Sequence, residues 1–264
     1  MKILLIADVH NCPEVSKERR SRTIKGLKKL IDTTPCDLIV FLGDTVPGCD
    51  FGSVGLDEYE SYLREIYDLT KNIPFATVFG NHDDECELTK EEIHDMISAY
   101  PNSLTNGRNY VLNIENETLL FIDSGSYYEG EGSCYDVVKP EIIEWAKNEI
   151  KGKKAILFQH IIVPDIREIT EGNRFKDGVK YTGEIREDPC PPDINTGELK
   201  ELAPYLKAAA FGHDHENSFE TEMLGVKLIQ CAGSGYNSYE YPQPPTAKLL
   251  DTETLITETI KING

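Results

Sequence analysis

Short apolar runs alternate with amphipathic stretches over the first part of the chain. The uniformly apolar runs are typical of strands buried on both faces. They comprise residues 2–7, 37–42 and 75–79. Residues 21–32 and 56–69 carry apolar side chains at helical spacing, and Thr89 with Glu92 predicts the start of a third helix ending near residue 99. This alternation favours a parallel or mixed sheet packed between helices.

The later part of the chain is richer in predicted strands, with one helix over residues 140–150. The predicted strands cover residues 110–114, 118–123, 155–159, 208–211, 219–221, 226–230, 247–250 and 256–260. Several of them follow one another like hairpins, so we expect a second sheet. The prolines and weak periodicity of residues 161–196 instead predict a long loop, and loops of this length are usually functional or disordered.

Polar clusters directly follow five of the predicted strands. They are Asp8-Val9-His10, Gly43-Asp44, Gly80-Asn81-His82-Asp83, His160 and Gly212-His213-Asp214-His215. Ligands of open α/β sheets collect at the carboxyl ends of strands, so we expect these clusters to converge. Five of the six histidines of the chain lie in them, which core packing alone does not explain. Imidazole and carboxylate ligands suit Zn²⁺, Mn²⁺ or Fe²⁺ better than Ca²⁺, and their number is sufficient for two ions.

Composition limits the classes of partner. The 264 residues carry a net charge of −19, which excludes a generally basic surface for long nucleic acids or anionic membranes. No apolar run approaches the length of a membrane span, and the N-terminal apolar stretch is too short for a secretion signal. The seven cysteines are scattered and odd in number. They suit reduced thiols, and we therefore expect a cytoplasmic protein.

The ordered polar clusters resemble the signature of the calcineurin-like metallophosphoesterases, Asp-x-His, Gly-Asp, Gly-Asn-His-Asp, His and Gly-His-x-His. The matching positions are 8–10, 43–44, 80–83, 160 and 212–215. The stretches at 135–140, 183–190 and 195–197 further resemble a purple-acid-phosphatase-like subgroup. The resemblance implies a four-layer α/β/β/α sandwich of two mixed sheets. We expect a single domain over residues 1–264, with an active-site loop insertion at about 161–196.

The family pattern also implies a role for each matching residue. Asp8, His10, Asp44 and His215 would hold a first metal ion. Asp44, Asn81, His160 and His213 would hold a second, with Asp44 bridging the two. His82 would protonate the leaving oxygen or stabilise its charge. Asp83 would orient His82 through its other ring nitrogen, although Asp83 could instead be only a turn residue.

Two departures from related enzymes modify this expectation. Purple enzymes have Tyr at the position of Pro47 and Gly at that of His10, so the resemblance does not imply a ferric purple centre. The chain also lacks the phosphate-gripping Arg that follows the bridging Asp in protein Ser/Thr phosphatases. Candidate replacements are Arg167, Arg174 and Arg186, although each could simply be a solvated charge. Tyr127, Tyr128 and the tyrosines within 236–241 could stack on a leaving group or serve packing.

These features lead to a ranked set of functions. The first is hydrolysis of phosphate monoesters by attack of a metal-bound hydroxide, with Mn, Fe or Zn as the two divalent ions. The substrate would be a phosphorylated small molecule or a phosphoprotein. A phosphodiesterase acting on cyclic nucleotides or nucleic acids is the alternative, and a catalytically silent protein-binding scaffold is a third hypothesis. The sequence does not predict the oligomeric state.

Overall fold

A computed structural model describes residues 1–13, 15–46, 56–237 and 243–264. The helices in these residues are α1 (Lys17–Thr33), α2 (Leu56–Tyr67), α3 (Lys90–Ser98), α4 (Pro140–Glu149) and α5 (Glu198–Leu202). The strands up to residue 158 are β1 (Lys2–Ile6), β2 (Leu38–Phe41), β3 (Phe75–Thr77), β4 (Tyr110–Ile114), β5 (Glu117–Phe121) and β6 (Ala155–Phe158). The later strands are β7 (Tyr181–Glu184), β8 (Leu206–Phe211), β9 (Ser218–Met223), β10 (Val226–Gln230), β11 (Thr246–Asp251) and β12 (Thr257–Lys261).

The strands form two mixed sheets. The first has the order β12-β11-β1-β2-β3, in which β1, β2 and β3 are parallel and β11 runs antiparallel to β1. The second has the order β4-β5-β6-β8-β10-β9-β7, with a parallel centre of β5, β6, β8 and β10. Helices cover the outer faces, which confirms the predicted α/β sandwich.

Three apolar clusters separate the layers. Leu27 and Leu30 of α1 pack with Phe41 on the outer face of the first sheet. Ile143 of α4 belongs to the cluster on the outer face of the second sheet. Alternate residues of the same strands, such as Leu5, meet the second sheet in a middle cluster. The central strands are therefore buried on both faces, which explains their uniformly apolar sequences.

Most predicted elements differ from the observed ones only at their ends. The capping box of Thr89 and Glu92 is present, and α3 begins at Lys90 as the sequence predicts. Strand β7 and helix α5 were not predicted from the sequence. All four residues of β7 are exposed and it pairs only with β9, so no apolar alternation marks it. Residues 161–196 therefore contain an edge strand and a short 3₁₀ turn at Pro164–Glu168.

No helix among the described residues is long and apolar enough to cross a membrane.

Candidate metal centre

The chain turns sharply where the polar clusters leave their strands. Asp8, His10, Asp44 and His213 have φ values of 49°, 49°, 48° and 73°, in the left-handed region that non-glycine residues rarely adopt. They are four of the eight non-glycine residues with positive φ in the described part of the chain. Such strained positions gather at functional sites because the surrounding structure must hold them in place.

The first group of candidate ligands joins the two sheets. Asp8 and His10 follow β1 of the first sheet, and His215 follows β8 of the second. The His215 Nε2 atom lies 3.2 Å from Asp8 Oδ1 and 3.1 Å from His10 Nε2. With metal–ligand bonds of about 2.1 Å, two ligands of one ion lie about 3.0 to 3.4 Å apart, so this spacing fits a common cation.

The second group lies beside the first. Asp44 follows β2, His160 follows β6 and His213 follows β8, and their ligand atoms lie within 4.8 Å of one another. The His160 Nε2 atom is 3.1 Å from Asp44 Oδ2 and 3.2 Å from Asn81 Oδ1. Asp44 Oδ2 is also 3.8 Å from His10 Nε2 of the first group, so this oxygen lies between the two groups.

Unpaired buried oxygens provide a test of whether cations fit here. Asp8 Oδ1 and Asp44 Oδ2 are buried and have no hydrogen-bond partner. The second oxygen of each carboxylate does have one, because Asp8 Oδ2 accepts from the His213 backbone and Asp44 Oδ1 from the His82 backbone. Two buried carboxylate oxygens without a hydrogen-bond partner are costly unless a positive charge lies beside them. The donor set therefore fits two divalent cations, one at each group.

The carboxylates of the cluster favour positive charge beside them. Burial acts to lower the pKa of His160, but Asp44 and Asp8 outweigh it and raise that pKa to about 10, so the cluster favours the positive charge that a metal ion would also supply. Burial acts to raise the pKa of Asp8 and of Asp44, but nearby histidines outweigh it and hold both below their ordinary value. His160 Nδ1 lies 2.7 Å from the Leu42 carbonyl, to which it donates its proton, so its Nε2 faces the cluster. Burial, followed by the neighbouring His160, lowers the pKa of His213 to about 3, which keeps that imidazole neutral and able to bind a metal.

Glycines before the ligands allow the strand ends to approach closely. Gly43 has a φ of +90°, and a Cβ added there would lie 2.6 Å from His160 Nδ1. A Cβ on Gly80 would collide with Asp44 Oδ1. Each glycine of these motifs thus makes room for a candidate ligand from another strand.

Asp83 does not make the contact that the sequence analysis predicted. Its Oδ2 atom accepts hydrogen bonds from the backbone N–H groups of Gly80 (2.7 Å) and Asp44 (3.0 Å). Asp83 therefore stabilises the two turns that carry the candidate ligands, because its side chain hydrogen-bonds to the backbone of both turns. The carboxylate beside His82 is Glu85, whose Oε2 lies 2.7 Å from His82 Nδ1. Glu85 was not among the predicted site residues, although its position three residues after His82 within one turn was a usable signal.

The three candidate arginines differ in their surroundings. Arg167 pairs with Asp193 at 3.0 Å and donates to the carbonyls of Pro191 and Pro192. Arg174 is mostly exposed and pairs with Glu171. Neither contact involves the ligand groups.

Arg186 is the candidate arginine whose position best suits contact with a phosphate. It lines a cavity of about 470 Å³ together with His215 and Lys261. Its backbone is anchored there because the Arg186 N–H donates to Asn217 Oδ1, at 2.8 Å. Its guanidinium pairs with Glu184.

Two of the candidate tyrosines have different surroundings. The Tyr127 ring lies 6.2 Å from that of His82, whereas the Tyr236 hydroxyl donates to the Ile262 carbonyl at 2.8 Å. Position 47 and residues 238–242 lie outside the described residues.

Comparison with known proteins adds a family and a fold. A family model described as calcineurin-like phosphoesterase matches residues 1–217. A crystal structure of a dimetal phosphatase from Danio rerio is similar over 100% of this chain and 99% of that chain, with a TM-score of 0.61 and 12% identity. At this identity the likeness supports the shared fold.

Curated relatives carry two kinds of name. "Probable inactive purple acid phosphatase 14" of Arabidopsis thaliana is 28% identical over 90% of this chain and 71% of the relative. "Phosphatase DCR2" of Saccharomyces cerevisiae is 24% identical over 89% of this chain and 47% of the relative. The first of these names agrees with the purple-acid-phosphatase-like subgroup that the sequence resembles.

Proposed function

Because the chain belongs to the calcineurin-like phosphoesterase family, we propose that it hydrolyses phosphate monoesters with two divalent cations bound by the groups described above. The observation that carries the proposal is the pair of buried, unpartnered oxygens, Asp8 Oδ1 and Asp44 Oδ2, each facing histidine nitrogens from the opposite sheet. Asp8, His10 and His215 would hold one ion, and His160 and His213 the other. Asn81 would complete the second group, and Asp44 would serve both ions.

The bound cations would activate water and neutralise phosphate charge. His82, which is 32% exposed, stands beside the first group with its ring 5.8 Å from that of His10. It is therefore available to substrate without belonging to either ligand group. Its proton would pass to the leaving oxygen as the ester bond breaks, a contribution typically worth 10²- to 10⁴-fold in rate.

The substrate class is proposed from charge and access. A chain with a net charge of −19 attracts long polyanions poorly, so we expect a small phosphate ester or a phosphorylated side chain of a protein. Arg186 and Lys261 bring cationic side chains to the cavity beside His215, and could contact such an anion. Mn²⁺, Fe²⁺ and Zn²⁺ all suit the mixed imidazole and carboxylate donors.

The experiment is hydrolysis of p-nitrophenyl phosphate by the purified protein with Mn²⁺, compared with the His82→Ala and Asp44→Asn variants. We expect turnover by the wild-type protein, a large loss in Asp44→Asn, and a smaller loss in His82→Ala because p-nitrophenolate leaves readily without a proton. Equal turnover in all three would refute the proposal. Parallel assays with bis-p-nitrophenyl phosphate and a cyclic nucleotide test the phosphodiesterase alternative.

The Arabidopsis thaliana relative is named as probably inactive, which favours a second candidate, a protein without catalysis. Such a protein would act as a protein-binding scaffold. A silent member would be expected to lack ligands or His82, whereas all of these residues are present in this chain. Elemental analysis separates the two candidates, because the enzyme should retain close to two ions per chain. A folded protein that retains no metal and leaves every ester intact would favour the scaffold.

A further inference from the structure

His82 is held on one side by a carboxylate and a hydroxyl. Its Nδ1 atom lies 2.7 Å from Glu85 Oε2. The Tyr127 hydroxyl donates to the other oxygen of the same carboxylate, Glu85 Oε1, at 2.8 Å. The hydroxyl is also 3.4 Å from His82 Nδ1, so the three groups form a closed cluster.

Each of three consecutive acidic residues after His82 has a different partner. Asp83 accepts from backbone N–H groups of Gly80 and Asp44. Asp84 accepts from the Ser126 hydroxyl at 2.8 Å. Only Glu85 of this acidic run hydrogen-bonds to the His82 ring.

The contact determines which ring nitrogen faces the substrate. An ionised carboxylate can only accept, so Nδ1 must carry the hydrogen that lies between it and Glu85. The Nε2 atom is then the nitrogen left for exchange with a substrate. Tyr127 fixes the carboxylate in turn, because a carboxylate held by two donors has little freedom to rotate.

We propose that Glu85, braced by Tyr127, is the positioning residue that holds His82 with Nδ1 protonated and Nε2 directed to the leaving group. This inference rests on the proposed phosphatase function and assigns to Glu85 the role that the sequence resemblance gave to Asp83. In the step, the Nε2–H bond of His82 breaks and the proton joins the leaving oxygen while the P–O bond breaks. The attacking water forms the new P–O bond and releases a proton to solvent. His82 then takes up a proton from solvent at Nε2.

Leaving-group dependence tests this role. Phenolate is a much poorer leaving group than p-nitrophenolate, so its departure depends more on the proton from His82. We expect Glu85→Gln to lower kcat about 10-fold or more on phenyl phosphate, and clearly less on p-nitrophenyl phosphate. Tyr127→Phe should cause a smaller loss with the same preference. Glu87→Gln is the matched control, because Glu87 lies in the same segment and is exposed.

A double-mutant cycle separates positioning from a general effect on folding. If Glu85 acts through His82, Glu85→Gln should change kcat less than about 2-fold in a His82→Ala background. An equal loss in both backgrounds would overturn the proposal. So would a loss in wild type that is the same for the two esters.

A measurement without metal distinguishes this inference from the proposed function. Nitrogen-15 NMR of the imidazoles, with His82 assigned from the His82→Ala spectrum, should show a protonated Nδ1 in wild type and a changed ring signal in Glu85→Gln. An unchanged signal would overturn the pairing whatever the activity. Absence of wild-type hydrolysis together with the expected NMR change would instead refute the phosphatase function alone.

Discussion

Glu198 should make the stability of this protein depend on pH. It lies in the first turn of α5, is 3% exposed, and its Oε1 atom has no hydrogen-bond partner. The Oε1 atom of the neighbouring Gln159 is also buried and unpartnered. Both residues line a cavity of about 10 Å³, which has room for at most one water. A protonated Glu198 could donate to Gln159, whereas an ionised one would be a buried charge without a cation.

Burial raises the pKa of Glu198 from 4.5 to about 8. Below pH 4.5 the group is protonated in both the folded and the unfolded protein. Between pH 4.5 and 8 the folded protein keeps a proton that the unfolded chain has lost, so the free energy of unfolding falls as the pH rises. The limit is about 5 kcal/mol, at roughly 1.4 kcal/mol for each tenfold change in proton affinity. Entry of a water would reduce it, so we expect about 2 to 5 kcal/mol.

Glu198→Gln removes the titration and keeps the shape. We expect the variant to differ least from wild type at pH 5 and to be more stable by most of this amount at pH 8. The assay is urea unfolding in chelator at pH 5, 6, 7 and 8, so that metal binding does not contribute. Glu149→Gln, at an exposed position of α4, is the control for loss of one negative charge. A difference between Glu198→Gln and wild type that stays constant across the pH range would refute the reasoning.

Three further predictions concern the site and one helix end. Asp44→Asn removes the charge that lies between both ligand groups, so elemental analysis should find fewer than two Mn²⁺ per chain; two retained ions would contradict the shared role. Gly43→Ala should lower the melting temperature more than Gly152→Ala, because both have positive φ but only the Cβ at Gly43 would meet His160. Equal losses would show that φ strain alone matters. Thr89→Ala should cost about 1 kcal/mol in urea unfolding through loss of the capping box, and Thr89→Ser should restore most of it.

The sequence predicted those parts of the fold that depend on burial patterns. Strands such as Leu38–Phe41 are buried on both faces, so their residues are uniformly apolar and easily recognised. The convergence of Asp8 and His215 was also predictable, because polar residues that directly follow strands collect at the carboxyl ends of the sheets, although these two residues come from different sheets. The edge strand Tyr181–Glu184 was not, since all its side chains are exposed and its backbone pairing leaves no pattern in the sequence.

The hydrogen-bond partners of a side chain were harder to predict than the part of the fold in which the side chain lies. Asp83 was a reasonable partner for His82 by adjacency, but the turn directs its carboxylate to backbone N–H groups of Gly80 and Asp44. The direction depends on backbone torsion angles that residue types do not reveal. Arg174 likewise belongs to the predicted segment, yet it points to Glu171 at the surface. Which cation of a long segment reaches a site is decided by tertiary contacts such as that of Asn217 with Arg186.

Each ligand group draws its members from both sheets, and this has a mechanical consequence. An ion held by Asp8 and His215, or by Asp44 and His160, would cross-link the two sheets, which also pack against each other through the middle apolar cluster. Affinity for the ions and docking of the layers then become linked quantities. A smaller side chain at a position such as Leu5, in the apolar cluster between the sheets, would weaken packing of the sheets and thereby lower metal affinity. Metal binding would in turn stabilise the packing of the two sheets.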